Sequence, residues 1–129
     1  MPNFPEIQVY IVDDEPSVCR AYARLIRSAK MAARVFSSVE DLLEAEFSDD
    51  NACIVSDVQM PGASGLELPA LLDRAGHRLP VIFVTAHDTV EARDRAHQVG
   101  AAAYFRKPVD DLALLDAIAR AVNSKPEAN

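Results

Sequence analysis

The sequence predicts a single doubly wound α/β domain, with helices covering both faces of a parallel sheet. Three observations carry that expectation. Five short apolar runs alternate with stretches whose apolar residues recur at helical spacing. The connections between them are short, which implies parallel strands joined by right-handed crossovers. A chain of 129 residues, half of them hydrophobic, is one domain by length and can bury a real core. No internal repeat, low-complexity segment or linker interrupts the pattern.

Ile7 to Val12 is a β-rich run ending at Asp13-Asp14-Glu15, and Pro16 then suits the start of a helix. From Ser17 to Met31, the residues Val18, Tyr22, Leu25, Ile26 and Ala29 recur at helical spacing. Arg20, Arg24 and Arg27 make a second stripe there, read either as a solvated face or as a docking surface for an acidic partner helix. Ala33 to Phe36 is a brief second strand. Ser38 with Asp41 has capping-box spacing, and Val39, Leu42, Leu43 and Phe47 trace the next helical face. Ser48-Asp49-Asp50-Asn51 is a polar turn into the central strand, Ala52 to Val55, which delivers Asp57 just before the Pro61-Gly62 turn.

Ser64 with Glu67 starts a helix running to about Arg74, and Pro69, one turn inside it, should remove a hydrogen bond. Val81 to Val84 reads as a strand covered on both faces. Asp88 with Glu91 starts a weakly amphipathic helix with the meagre stripe Ala92, Ala96 and Val99, and Gly100 stops it. Ala102 to Phe105 is the fifth strand. Asp110-Asp111 opens a last helix with Leu115, Ile118, Ala119 and Val122 inward, and Asn123 to Asn129 is a polar tail.

Composition narrows the function classes. A formal net charge of −7 argues against a domain that grips a phosphate backbone itself, and suits a site that gathers carboxylates around a cation. No apolar run approaches the length of a membrane span, and residues 1–6 lack the pattern of a signal peptide. Cys19 and Cys53 have no ligand-like spacing and read as reduced, partly buried thiols of a cytoplasmic protein.

Parallel strands place their carboxyl ends on one edge of the sheet, where ligands of such folds bind. If the first, third, fourth and fifth strands are neighbours, Asp13, Asp14, Asp57, Thr85 and Lys107 converge there. Crowded carboxylates repel unless one is protonated or a cation holds them, and oxygen donors of this kind suit Mg²⁺. An Asp57 oxygen left free could attack a phosphorus, with Lys107 and the Thr85 hydroxyl receiving the phosphoryl oxygens. Singly, each residue has a bland role: Asp13 or Asp14 as a helix cap, Asp57 as a turn residue, Thr85 and Lys107 as strand ends. Four strand ends supplying acids, acid, hydroxyl and lysine together are not explained that way.

The set Val12-Asp13-Asp14-Glu15, Asp57 with Met60-Pro61-Gly62, Thr85-Ala86 and Lys107-Pro108 resembles the receiver domain of two-component response regulators, within the CheY-like superfamily. The resemblance covers about residues 7–123, with 1–6 as an N-terminal extension and 124–129 as a tail or the start of a linker. It implies a flavodoxin-like sheet of order 2-1-3-4-5. It implies that Asp57 is the phosphoacceptor for a histidine kinase, and that Asp14 and Asp57 bind Mg²⁺ directly. Asp13 would then act largely through water, and the Gln59 backbone carbonyl would be a further ligand. Thr85 becomes the switch hydroxyl, Lys107 the phosphoryl-binding lysine, and Tyr104 the switch aromatic, though an aromatic there is also plain core. Val9 to Val18, Phe36-Ser37-Ser38 and Val81 to His87 are similar to FixJ-type regulators. Those carry a C-terminal helix-turn-helix DNA-binding domain, so the chain reads either as an isolated receiver or as one separated from a longer regulator, and the tail Ser124 to Asn129, which suits the start of a linker, favours the second.

What the resemblance implies is a switch that catalyses its own phosphotransfer and hydrolysis. Its fourth helix, fifth strand and fifth helix would change shape to favour a homodimer or release an output domain. Two rivals stand beside it. An enzyme acting on small phosphate esters would need a second acid and a substrate cap, and no insertion is large enough for a cap. A degenerate receiver serving as a constitutive interaction module would not need the full acid, Thr and Lys set.

Overall fold

The computed structural model describes residues 6–123. The elements follow in the order β1 (Gln8–Val12), α1 (Pro16–Ser28), β2 (Ala32–Phe36), α2 (Val39–Glu44), β3 (Ala52–Asp57), α3 (Leu68–Arg74), β4 (Val81–Thr85), α4 (Val90–Gln98), β5 (Ala103–Arg106) and α5 (Asp111–Asn123). The strands form one parallel sheet of order β2-β1-β3-β4-β5, as the resemblance implies. Residues 1–5 of the expected extension and the tail at 124–129 lie outside the described residues.

Every residue of β3 and β4 is buried, which is why both begin with runs of four apolar residues, Ala52–Val55 and Val81–Val84. The edge strands β2 and β5 are half-exposed. Alternation along the strands splits the core into two layers. Tyr10, Ile54 and Phe83 pack against α2, α3 and α4, through Leu42, Leu72 and Ala96. Ile11, Val55 and Ile82 pack against α1 and α5, through Ile26 and Ile118.

Several local expectations need correction. The helix expected from Ser64 is two pieces: a 3-10 turn at Gly65–Glu67, closed by the Ser64–Glu67 capping box, and then α3. Pro69 therefore falls in the first turn of α3, where its missing N–H costs nothing. Thr89, not Asp88, caps α4 by accepting from the Ala92 N–H at 3.0 Å. Asp41 does not close a box on Ser38; its carboxylate takes the Ser37 hydroxyl at 2.7 Å. In α1 the buried residues are Cys19, Ala23 and Ile26, and the helix ends before Ala29 and Met31. In α5 they are Leu114, Ile118 and Ala121, so Leu115, Ala119 and Val122 belong to the neighbouring, half-buried stripe. Cys19 and Cys53 are free, and fully rather than partly buried. No helix among the described residues is long and apolar enough to cross a membrane.

Candidate functional site

The carboxyl edge of the sheet collects the acids because β1 pairs directly with β3, so that Val12 lies opposite Ser56. Asp13 follows β1 at once and Asp57 ends β3. Lys107 follows β5, two strands further along. Alternation decides which of them meet. Asp13, Asp57 and Lys107 continue the side-chain rows of Ile11, Val55 and Phe105, which belong to the α1/α5 layer. Thr85 and Tyr104 continue the opposite row, with Phe83, towards α4.

Carboxylate oxygens of Asp13, Asp14 and Asp57 all lie within 4.8 Å of one another. Asp13 is 1% exposed and Asp57 8%, whereas Asp14 faces solvent. Lys107 Nζ donates to Asp13 Oδ2 at 3.0 Å and to Asp57 Oδ2 at 3.4 Å, bridging the two buried acids. Asp13 Oδ1 accepts from the Glu15 N–H at 2.9 Å. Burial pushes the Asp57 carboxyl above its ordinary value. Lys107 opposes this, Asp13 adds to it, and a backbone hydrogen bond from Gln59 offsets part of it. For Lys107 burial acts downward, but its bond to Asp13 and the charges of Asp57 and Asp13 outweigh that, and the ammonium is held above its usual range.

Chemically, the cluster offers hard oxygen donors in the charge excess that a small divalent cation neutralises. It also offers a fixed ammonium beside a half-neutralised carboxylate. The Asp13, Asp14 and Asp57 oxygens thus fit a Mg²⁺ ion.

Thr85 and Tyr104 stand apart from that cluster. Thr85 is wholly buried; its Oγ1 accepts from the His87 N–H at 3.0 Å, and its carbonyl accepts from the Lys107 N–H at 2.7 Å. Tyr104 is half-buried on the α4 side, and its hydroxyl donates to Asp88 Oδ1 at 3.1 Å. Gln59 is exposed in the loop after β3.

Sequence reasoning missed the parts that hold this loop. Gly65 packs so closely under β3 that an added Cβ would stand 2.0 Å from the Asp57 carbonyl oxygen. Ser64 Oγ donates to the Val58 carbonyl at 3.0 Å, and Glu40 of α2 accepts from the Ala63 N–H at 3.0 Å. A second glycine three residues after Gly62 was the available signal for Gly65. Nothing local marks Glu40, 23 residues away from its partner.

Comparison with known proteins agrees with this geometry. Residues 9–119 match the family described as the response regulator receiver domain. The chain is 36% identical over 121 residues to the transcriptional regulatory protein FixJ of Azorhizobium caulinodans, covering 94% of this chain and 57% of that protein. It is 37% identical over 110 residues to the transcriptional regulatory protein TdiR of Thauera aromatica, covering 85% of this chain and 48% of that protein. The crystal structure of FixJ-N has a TM-score of 0.83 at 29% identity, covering 97% of this chain and all (100%) of its own. A response regulator receiver protein from Burkholderia phymatum has a TM-score of 0.77 at 37% identity, covering 95% and 100%. The chain spans about half the length of the curated relatives it matches, 48% and 57% for these two. The family match runs from the first buried strand into the last helix, and on that extent the chain belongs to the response regulator receiver domain family of two-component systems.

Proposed function

We propose that the chain is a phosphorylation-activated switch whose phosphoacceptor is Asp57. The observation that carries this is the Lys107 ammonium bridging Asp13 and Asp57 inside a cluster of three carboxylates at the sheet's carboxyl edge. A phosphohistidine of a partner kinase presents its phosphoryl group in line with an Asp57 oxygen. The new O–P bond forms as the P–N bond breaks, and the histidine nitrogen leaves with the electron pair. Lys107 shifts from the carboxylates to a phosphoryl oxygen, and the Thr85 hydroxyl, whose lone pair alone is engaged by His87, donates its proton to another. Asp14 and Asp57 would hold Mg²⁺ directly, with Asp13 through water and the Gln59 carbonyl as a further ligand. The ion supplies charge neutralisation at the transferring group. Attack by water later regenerates the Asp57 carboxylate.

In this reading residues 7–123 are the receiver, 1–6 an extension and 124–129 a tail or the start of a linker. Drawing Thr85 towards the phosphoryl group moves the loop into α4, and Tyr104 turns towards the vacated space. Only Ala96 of α4 is fully buried, so this helix is the element held least firmly. The surface made by α4, β5 and α5 then favours a homodimer or frees an output domain. The names of FixJ and TdiR, both transcriptional regulatory proteins of which the match covers only 57% and 48%, support a DNA-binding output and a cytoplasmic setting.

Intact mass after incubation with Mg²⁺ and acetyl phosphate tests the reading. One added phosphoryl group is expected, absent in Asp57→Asn and in a metal-free sample. No addition in any sample would replace the switch with a constitutive interaction module.

A further inference from the structure

Resting on that phosphoacceptor reading, we infer that Asp88 is a positioning residue: it latches Tyr104 in the unphosphorylated domain and thereby sets how readily the phosphorylated conformation is reached. The Tyr104 hydroxyl donates to Asp88 Oδ1 at 3.1 Å, and Arg93 Nη2 donates to Asp88 Oδ2 at 2.6 Å. One carboxylate in the loop between β4 and α4 therefore ties the edge strand β5 to the first turns of α4.

Asp88 is free for this because Thr89 caps the helix. The hydrogen bond from Arg93 holds the Asp88 carboxyl below its ordinary range, so it is an acceptor only. Burial first, and then the bond to Asp88, pushes the Tyr104 phenol up, so it keeps the proton it donates. Position matters as much as charge. Asp88 lies three residues after Thr85, and the His87 N–H between them is bonded to Thr85 Oγ1 at 3.0 Å. Any movement of Thr85 towards a phosphoryl group pulls on this loop and draws the carboxylate away from Tyr104. Ala96 is the one fully buried residue of α4, so the Asp88 contacts add to a helix that burial holds only lightly.

A surface contact of this kind is worth a factor of about two to five in an equilibrium. The test uses the full chain labelled with ring-¹³C tyrosine, whose three tyrosines are Tyr10, Tyr22 and Tyr104. In unphosphorylated Asp88→Ala, the Tyr104 resonances should move towards the positions they take in the unsubstituted chain with Mg²⁺ and beryllofluoride, a non-covalent phosphoryl mimic. Affinity for the mimic should rise about threefold. Asp88→Asn, which keeps an acceptor oxygen without the charge, should fall between the two. Tyr104→Phe removes the same bond from the other side, so Asp88→Ala should add clearly less in that background than in the unsubstituted chain, its remaining effect being the loss of the Arg93 contact. Additive effects in this cycle, or Tyr104 resonances indifferent to Asp88→Ala, would overturn the latch. If the unsubstituted chain takes up no mimic, the phosphoacceptor reading fails. The Tyr104 response to Asp88→Ala without mimic then decides the latch alone: a displaced ring supports it and an unmoved ring refutes it.

Discussion

Lys107 donates to Asp13 over 3.0 Å, joining two residues 94 positions apart in the chain and crossing the edge of the two strands that separate them. The companion contact to Asp57 is longer, at 3.4 Å. Before any phosphoryl group arrives, this lysine is chiefly the partner of a nearly inaccessible aspartate.

Lys107→Met should therefore destabilise the metal-free protein by on the order of 2 kcal/mol, because two buried carboxylates lose their counter-charge. Mg²⁺ should recover most of the loss, since it supplies positive charge to the same oxygens. Thermal melts in EDTA and in excess Mg²⁺ check this. A metal-free melt equal to that of the unsubstituted chain would show that the ion pair contributes nothing.

Asp57→Asn should do the reverse. The Asp57 carboxyl is raised in the folded state, chiefly by burial, so ionised Asp57 opposes folding. Its favourable contribution is complete below the unfolded-state value, about 4 for a carboxyl, and is lost as pH rises through the raised folded value. The amide variant should thus be more stable at pH 7 without metal, by on the order of 1 kcal/mol, with the difference vanishing in acid. Denaturant melts at pH 3.5 and 7 would expose the opposite pH trend if burial does not dominate at Asp57.

Mg²⁺ itself should stabilise the native protein by about 2.7 kcal/mol at a hundredfold excess over its dissociation constant, a rise of roughly 10 °C in Tm. Asp14→Ala should remove most of that rise while leaving the metal-free Tm nearly unchanged, because Asp14 is exposed and no hydrogen bond of the fold depends on its side chain among the described residues. A full Mg²⁺ response in Asp14→Ala would place the ion elsewhere.

Two glycines should fail for different reasons. Gly65→Ala places a Cβ 2.0 Å from the Asp57 carbonyl and 2.9 Å from Ser56 Oγ, and backbone cannot yield cheaply, so a loss on the order of 3 kcal/mol or more is expected. Gly100→Ala meets nothing within 4 Å but must keep φ at +80°, which costs about 1 kcal/mol. Equal melting temperatures for the two variants would show that the close approach under β3 is relieved by movement.

The sequence by itself determined the alternation of strands and helices and which residues end or follow the strands, among them Asp13, Asp14 and Asp57, which the fold gathers at one edge. Those signals are local: the body of a buried parallel strand has to be apolar, as at Ala52–Val55 and Val81–Val84, and the polar residues that end it land on the carboxyl edge. Tertiary structure decided the rest. Leu114 and Leu115 head two adjacent apolar stripes on α5, and only docking against the sheet selects the first. Asp88 and Thr89 both suit a helix start, and the Asp88 carboxylate is taken by Arg93 and Tyr104 while Thr89 caps α4. The division of labour at the site, with Lys107 facing Asp13 and Asp57 while Thr85 and Tyr104 face α4, depends on pleat and register between strands far apart in the chain. Spacing along one segment carries no record of such contacts, because they form only when separate elements pack.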